Sequence, residues 1–172
     1  MKLSPEQLTK RYKAAWQKKD NWRSLYEQCY QYALPQRNLY DGYWEDGQAG
    51  RTKNLQVFDS TAVHGAQRFA NRMQSGLFPP DKKWMELFPG TEIPEEANEE
   101  VRAGLQVYSD KFFSIIRQTN FDLAMGEFLL DLCVGTGIML IQKGDDLQPI
   151  RFQAIPQYLC ALEEGPQGTV EN

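Results

Sequence analysis

The sequence contains a single histidine, His64, and three cysteines, Cys29, Cys133 and Cys160. With one histidine, any Ser-His-Asp or Cys-His site must be built around His64. Nothing places a nucleophile beside it, so it is expected on or near a helix surface. Three cysteines are an odd number without metal-ligand spacing, which points to buried free thiols and not to a disulfide framework or a zinc site. No apolar run reaches the roughly 18 residues that cross a bilayer, and "MKLSPEQLTK" lacks the apolar core of a signal peptide. Synthesis in a reducing cytoplasm, with no membrane partner, is the expectation. The chain also lacks internal repeats, low-complexity tracts and a glycine loop ending in Lys-Ser/Thr, which excludes a P-loop nucleotide hydrolase.

What is present is core material. The 172 residues are 41% apolar and 12% aromatic, too rich in core formers for disorder and long enough for one domain or a large piece of one. The net charge of -4 is unevenly spread: residues 1–37 hold eight Lys/Arg and three Asp/Glu, the remainder eleven and twenty. A basic end can serve nucleic acid, or it can be a solvated helix face.

Helix signals run in order along the chain. Ser4-Pro-Glu-Gln7 reads as a capping box with proline at the first helical position, followed by Leu8, Tyr12 and Ala15 at helical spacing. Asp20 or Asn21 can cap a second helix carrying Trp22, Leu25, Tyr26, Cys29, Tyr30 and Ala33, which Pro35 ends. These aromatics could stack on bases, but at helical spacing they are expected in the core. Asp41 to Asn54, with Gly42, Gly47 and Gly50 among mixed charges, reads as an exposed mobile loop too long for a simple connector. Asp59-Ser-Thr61 caps a third helix with Val63, Ala66, Ala70, Met73 and Leu77 on one stripe. Arg68 and Arg72, one turn apart on its flank, could clamp a phosphate or a partner's carboxylate. Pro79-Pro80 ends that helix, and "KWMELF" reads as a short strand anchored by Trp84 and Phe88. Pro94-Glu-Glu opens a fourth helix with the stripe Val101, Leu105, Tyr108, Phe112 and Ile115. The acids Glu95, Glu96, Glu99 and Glu100 sit at its positive end as a solvated face. Asn120 can cap a fifth helix, from Phe121 to about Cys133.

The segment Asp131-Leu-Cys-Val-Gly-Thr-Gly137 approximates the acidic, glycine-rich loop with which methyltransferases hold S-adenosylmethionine. Such a loop needs a strand before it and a helix after it, with bare backbone facing the cofactor. Here Cys133 stands at the first glycine of the pattern. The next residues, "IMLIQKGDDLQPIRFQAI", read as two strands around a Lys-Gly-Asp-Asp turn. Too little chain remains after Gly137 for further strand–helix units. Gly135 and Gly137 are therefore read as a helix stop that turns into a strand, and no cofactor is expected. No catalytic constellation emerges.

The order of these pieces resembles a known family. "NWRSLYEQCYQYALPQRN" is similar to the helix-then-"LP" opening of head-to-tail connector (portal) proteins of short-tailed bacteriophages. "QVFDSTAVHGAQRFANRMQSGLFPPDKKWMEL" resembles their next block, a capped helix, then "LFPP", then a tryptophan-bearing strand. The Gly-Thr-Gly turn and "RFQAIPQYLCALEEGPQGTVEN" resemble the helix-to-hairpin turn and the hairpin that come after. The resemblance runs from about Trp22 to Asn172.

The resemblance implies a structural virion protein without catalytic residues, located at the capsid portal vertex and made in the host bacterial cytoplasm. Portal subunits form a ring, usually of twelve copies, through which double-stranded DNA is packaged and ejected. Their partners are capsid protein, the terminase motor and a tail adaptor. Family chains continue well beyond this length into channel-lining helices and a clip, so the expectation is an incomplete domain, the N-terminal part of a portal wing. The expected fold is α+β, helix-rich over residues 1–134 and β-hairpin over 135–172. The candidate subunit or capsid contacts are Arg68 and Arg72, with Tyr43, Trp44, Arg51 and Lys53 from the Asp41–Asn54 loop. The alternative is a small helical nucleic-acid-binding protein using its basic, aromatic N-terminal helices.

Overall fold

The computed structural model describes residues 4–37, 58–90, 95–164 and 170–171. The fold is α+β, with helices dominant among the described residues. Among the described residues five α-helices occur in order: α1 (Pro5–Asp20), α2 (Arg23–Ala33), α3 (Thr61–Leu77), α4 (Glu95–Arg117) and α5 (Phe121–Val134). The hairpin β1 (Ile138–Lys143) and β2 (Ile150–Ile155) comes next, then a short pair, β3 (Glu163–Glu164) and β4 (Val170–Glu171). Both pairs are antiparallel and each forms its own two-stranded sheet.

Local chemistry sets most boundaries as expected. The Ser4 hydroxyl accepts from the Gln7 N–H at 3.3 Å, and the Gln7 side chain accepts from the Ser4 N–H at 3.0 Å, closing the capping box. At α3 the acceptor is Asp59: its Oδ1 takes the Thr61 N–H at 2.9 Å and the Thr61 hydroxyl at 2.7 Å. Those two hydrogen bonds hold the Asp59 carboxyl below its ordinary pKa. Neither Asp20 nor Asn21 caps α2. The first runs on as the last residue of α1, and Trp22 precedes α2 without a side-chain cap.

Helix α5 is the centre of the molecule. Phe121, Ala124, Met125, Leu129 and Asp131 are all buried on it, so it is covered on several sides. Ala66 and Ala70 on α3 are buried, and their small side chains let α3 lie along α5. On another side the hairpin packs down through Phe152 and Ala154 of β2. An aromatic cluster fills the space between. Trp84 stacks on Phe121 at 5.5 Å and 16°, and meets Phe78 and Phe113 edge-on at 5.0 and 5.2 Å. Phe152 meets Phe121 edge-on at 5.1 Å. Edge-to-face and offset contacts of this kind each contribute about 0.5–1.5 kcal/mol beyond area burial.

The expected strand at "KWMELF" is not one. Residues 83–88 have no strand partner among the described residues: the Leu87 N–H is taken by the Ser109 hydroxyl at 3.1 Å and Trp84 is drawn into the aromatic cluster. The α4 stripe is also rotated from its expected centre. Ser109, Phe113 and Ile116 are the buried positions, while Tyr108 is 65% exposed. Periodicity fixes the spacing of a stripe, but the packed neighbours fix its centre, and here Trp84 selects Phe113.

Asn120 does not cap α5 with its side chain. Its amide instead bonds both backbone groups of Phe152, donating to the carbonyl at 2.7 Å and accepting the N–H at 3.0 Å. A side chain thus occupies the outer edge of β2, opposite the edge that pairs with β1, where Phe152 faces Ile141.

Candidate functional site

The Gly-Thr-Gly turn joins α5 to β1, and its glycines sit where other side chains come close. A Cβ at Gly135 would lie 2.7 Å from the Gln157 Oε1, and one at Gly137 would lie 2.7 Å from the Phe128 ring. The Gln157 side chain is buried there and accepts the Thr136 N–H at 3.4 Å. The space that glycine opens in a cofactor loop is therefore filled by the chain itself, and a strand stands where a helix would be needed.

Asp131, the acid of that segment, is wholly buried and engaged. Its Oδ2 accepts from Arg37 Nη2 at 2.7 Å, and its Oδ1 accepts from Arg37 Nε at 3.2 Å and from the Tyr30 hydroxyl at 3.0 Å. Glu127 adds a second carboxylate 3.4 Å from Arg37 Nη1. Burial alone would lower the Arg37 pKa, but the hydrogen bond and charge of Asp131, with Glu127, outweigh it and hold the guanidinium above its ordinary value. This forked ion pair ties the short 3-10 turn Pro35–Arg37, which follows α2, to the last turn of α5. Sequence reasoning missed it, although an acid between Leu130 and Leu132 in an apolar helix is the signature of a paired buried charge.

A second polar tie holds the N-terminal helix to the far end of the chain. Lys19 Nζ donates to the backbone carbonyls of Gln157, Tyr158 and Cys160 at 2.6, 2.9 and 2.6 Å, and lies 4.5 Å from the centre of the Trp16 ring. Burial lowers the Lys19 pKa, and nearby Cys160 and Asp20 oppose it. Arg11 pairs with Glu163 at 2.7 Å. Lys19 and Arg11, like Arg37, are thus committed to internal contacts although they belong to the basic N-terminal segment.

The sequence-chosen residues fall into three groups. Arg68 and Arg72 are exposed on α3, on the side away from buried Ala66 and Ala70, and neither pairs with a described carboxylate. Tyr43, Trp44, Arg51 and Lys53 lie outside the described residues. The residues expected to be buried are only partly so. Tyr30 is buried, but Tyr12, Trp22 and Leu25 are exposed, and of the free thiols Cys133 is exposed while Cys29 and Cys160 are half-buried. His64 is exposed on α3. Among the described residues, no three of His, Cys, Asp or Glu come together as metal ligands would, and no helix is long and apolar enough to cross a membrane.

Internal ties thus fasten distant segments of the chain, and several helix faces stay exposed. Comparison with protein families supplies the context. Residues 5–172 match the model of the bacteriophage head to tail connecting proteins. The chain belongs to that family. No individually curated protein matches it. Membership makes the chain a structural component of the phage head–tail connector, a part of the virion. For a connector protein the informative surfaces are those its own fold leaves uncovered. Foremost are the N-terminal turns of α1, with exposed Leu8 and Tyr12, and the exposed rings of Tyr108 on α4 and of Phe88.

Proposed function

We propose that the chain is a subunit of the ring-shaped portal through which phage DNA is packaged and ejected, forming a helix-rich, wing-like region of it. The observation that carries this reading is the family match over residues 5–172. The exposed apolar faces of α1 and α4 support it, because a heterologous ring gives each subunit two different neighbours to cover two different faces. In this reading the ring has about twelve copies, the usual number in the resembled family. It is held in the capsid at one vertex, and terminase and a tail adaptor dock on other parts of the ring. Arg68 and Arg72, exposed on α3, are proposed to meet a neighbouring subunit or capsid protein, as are Tyr43, Trp44, Arg51 and Lys53.

The test is electron microscopy of the purified full-length subunit, joined with antibody labelling of particles of the phage that encodes it. Rings with a central channel and labelling at a single vertex are the expected result. A persistent monomer and no vertex labelling would end the portal reading. The nucleic-acid alternative draws support from exposed Tyr12 and Trp22. It predicts that monomeric chain binds DNA with affinity falling steeply as salt rises. Alanine at both Arg68 and Arg72 is expected to reduce ring yield while far-UV dichroism stays unchanged; unaltered yield would remove those two residues from the contact.

A further inference from the structure

The hairpin has one open margin, on β1. The Phe152 N–H and C=O both turn to Asn120, so Ile141, directly opposite, turns its own N–H and C=O away from β2. Lys143, two residues on, turns its backbone groups the same way. No described residue bonds these groups, and β1 has no second strand neighbour among the described residues. The side chains show the same gap. Ile141 stands on the same face of the sheet as buried Phe152, yet it is 63% exposed.

Residues 83–88 supply a matching segment. They run without helix, turn or sharp bend and pair with no described strand. Leu87 turns its N–H inward, to the Ser109 hydroxyl at 3.1 Å. Successive residues of an extended chain turn their backbone groups to opposite sides, so Glu86 and Phe88 turn theirs outward. Phe88 is 61% exposed, with Arg102 held 5.6 Å from the centre of its ring, and Glu86 is exposed. Laid antiparallel on β1, this segment sets Phe88 opposite Ile141 and Glu86 opposite exposed Lys143. Two uncovered apolar side chains then meet, and so do two opposite charges. A parallel arrangement would set Ile141 beside Glu86 and Lys143 beside Phe88, and would match neither.

One copy does not make this contact with itself. Trp84 anchors the segment on Phe121, beside Asn120 and so on the β2 side of the hairpin, whereas the open margin is on the β1 side. We propose that residues 83–88 of one copy add as an antiparallel strand to the outer edge of β1 in a second copy of this chain. The proposal rests on the ring reading above and names one contact within it. A margin on one side and a strand on the other give head-to-tail contacts, the kind that close a ring.

Paired cysteines test it in the full-length subunit, oxidised with copper phenanthroline and run on a non-reducing gel. In a hydrogen-bonded antiparallel pair the Cα atoms lie about 5.5 Å apart, within reach of a disulfide. Ile141→Cys with Phe88→Cys, and Lys143→Cys with Glu86→Cys, are each expected to give a ladder from dimer upward. The four single variants, which keep the native thiols, are expected to give no such ladder. Ile141→Cys with Glu86→Cys, which is out of register, is expected to cross-link more weakly than either matched pair. Matched pairs that stay monomeric on the gel, while ultracentrifugation shows the parent assembled, would overturn the contact and leave the portal reading standing. That result is expected if a different segment covers β1. An out-of-register pair that cross-links as well as the matched ones would also overturn it. A parent that forms no oligomer would overturn both readings.

Discussion

Two faces of α4 carry apolar side chains and meet opposite fates. On one face Phe113 and Ile116 are buried against Trp84 and the core around Phe121. On another Tyr108 stays in solvent, although Ser109 next to it is buried. Helix α1 repeats the contrast, with Ala15 buried and Leu8 exposed. Apolar surface of this size is covered where a second element reaches it and is left where none does. A single chain can thus hold a finished core and unfinished faces on one helix.

The contrast can be broken by substitution. Phe121→Ala removes the ring on which Trp84, Phe78 and Phe152 all pack, and is expected to cost about 3–5 kcal/mol in urea unfolding; a cost below about 1 kcal/mol would show that the cluster is not the core. Asp131→Ala strands the Arg37 guanidinium beside an emptied buried site. The expected loss is about 3 kcal/mol, with a smaller one for Asp131→Asn, which keeps the volume and an acceptor for Tyr30. Gly137→Ala places a methyl 2.7 Å from the Phe128 ring, and about 1–3 kcal/mol is expected unless that ring turns aside. At the other end of the scale, Leu8→Ser and Tyr108→Ser are each expected to change monomer stability by no more than about 0.5 kcal/mol, because water already covers both side chains. If either of these two variants cost as much as Phe121→Ala, the distinction between finished and unfinished faces would fail.

Much of this fold was legible in the residues. Ser4, Pro5 and Gln7 announced the first helix, and the change of period from 3.6 to 2 after Gly137 announced the hairpin, because both signals are local. The C-terminal hairpin after "IP" was also legible, as β3 and β4 pair. What was not legible depended on residues far apart in sequence. Asp131 finds Arg37 94 positions away, and Lys19 finds the carbonyl of Gln157 138 positions away. Nothing near residue 84 could reveal that its backbone would meet the Ser109 hydroxyl and not a strand. Periodicity gave the spacing of the apolar stripes on α1 and α4, but it missed the centre of the second and cannot state how much of a stripe a single chain covers. For that reason Tyr12 and Trp22, expected inside, lie outside. Of the candidate contacts, Arg68 and Arg72 stand on an exposed flank as a surface role requires, while those in the Asp41–Asn54 loop lie outside the described residues.

The carboxamide of Asn120 has a consequence for crowded copies. A lone hairpin offers two open margins, and identical subunits held side by side could zip together along either of them. With Phe152 already answered by Asn120, growth from β2 is stopped at its middle by a single side chain. The sheet is left with a direction. Any strand that joins it can do so only beyond β1, so a misplaced neighbour finds one door closed before it arrives.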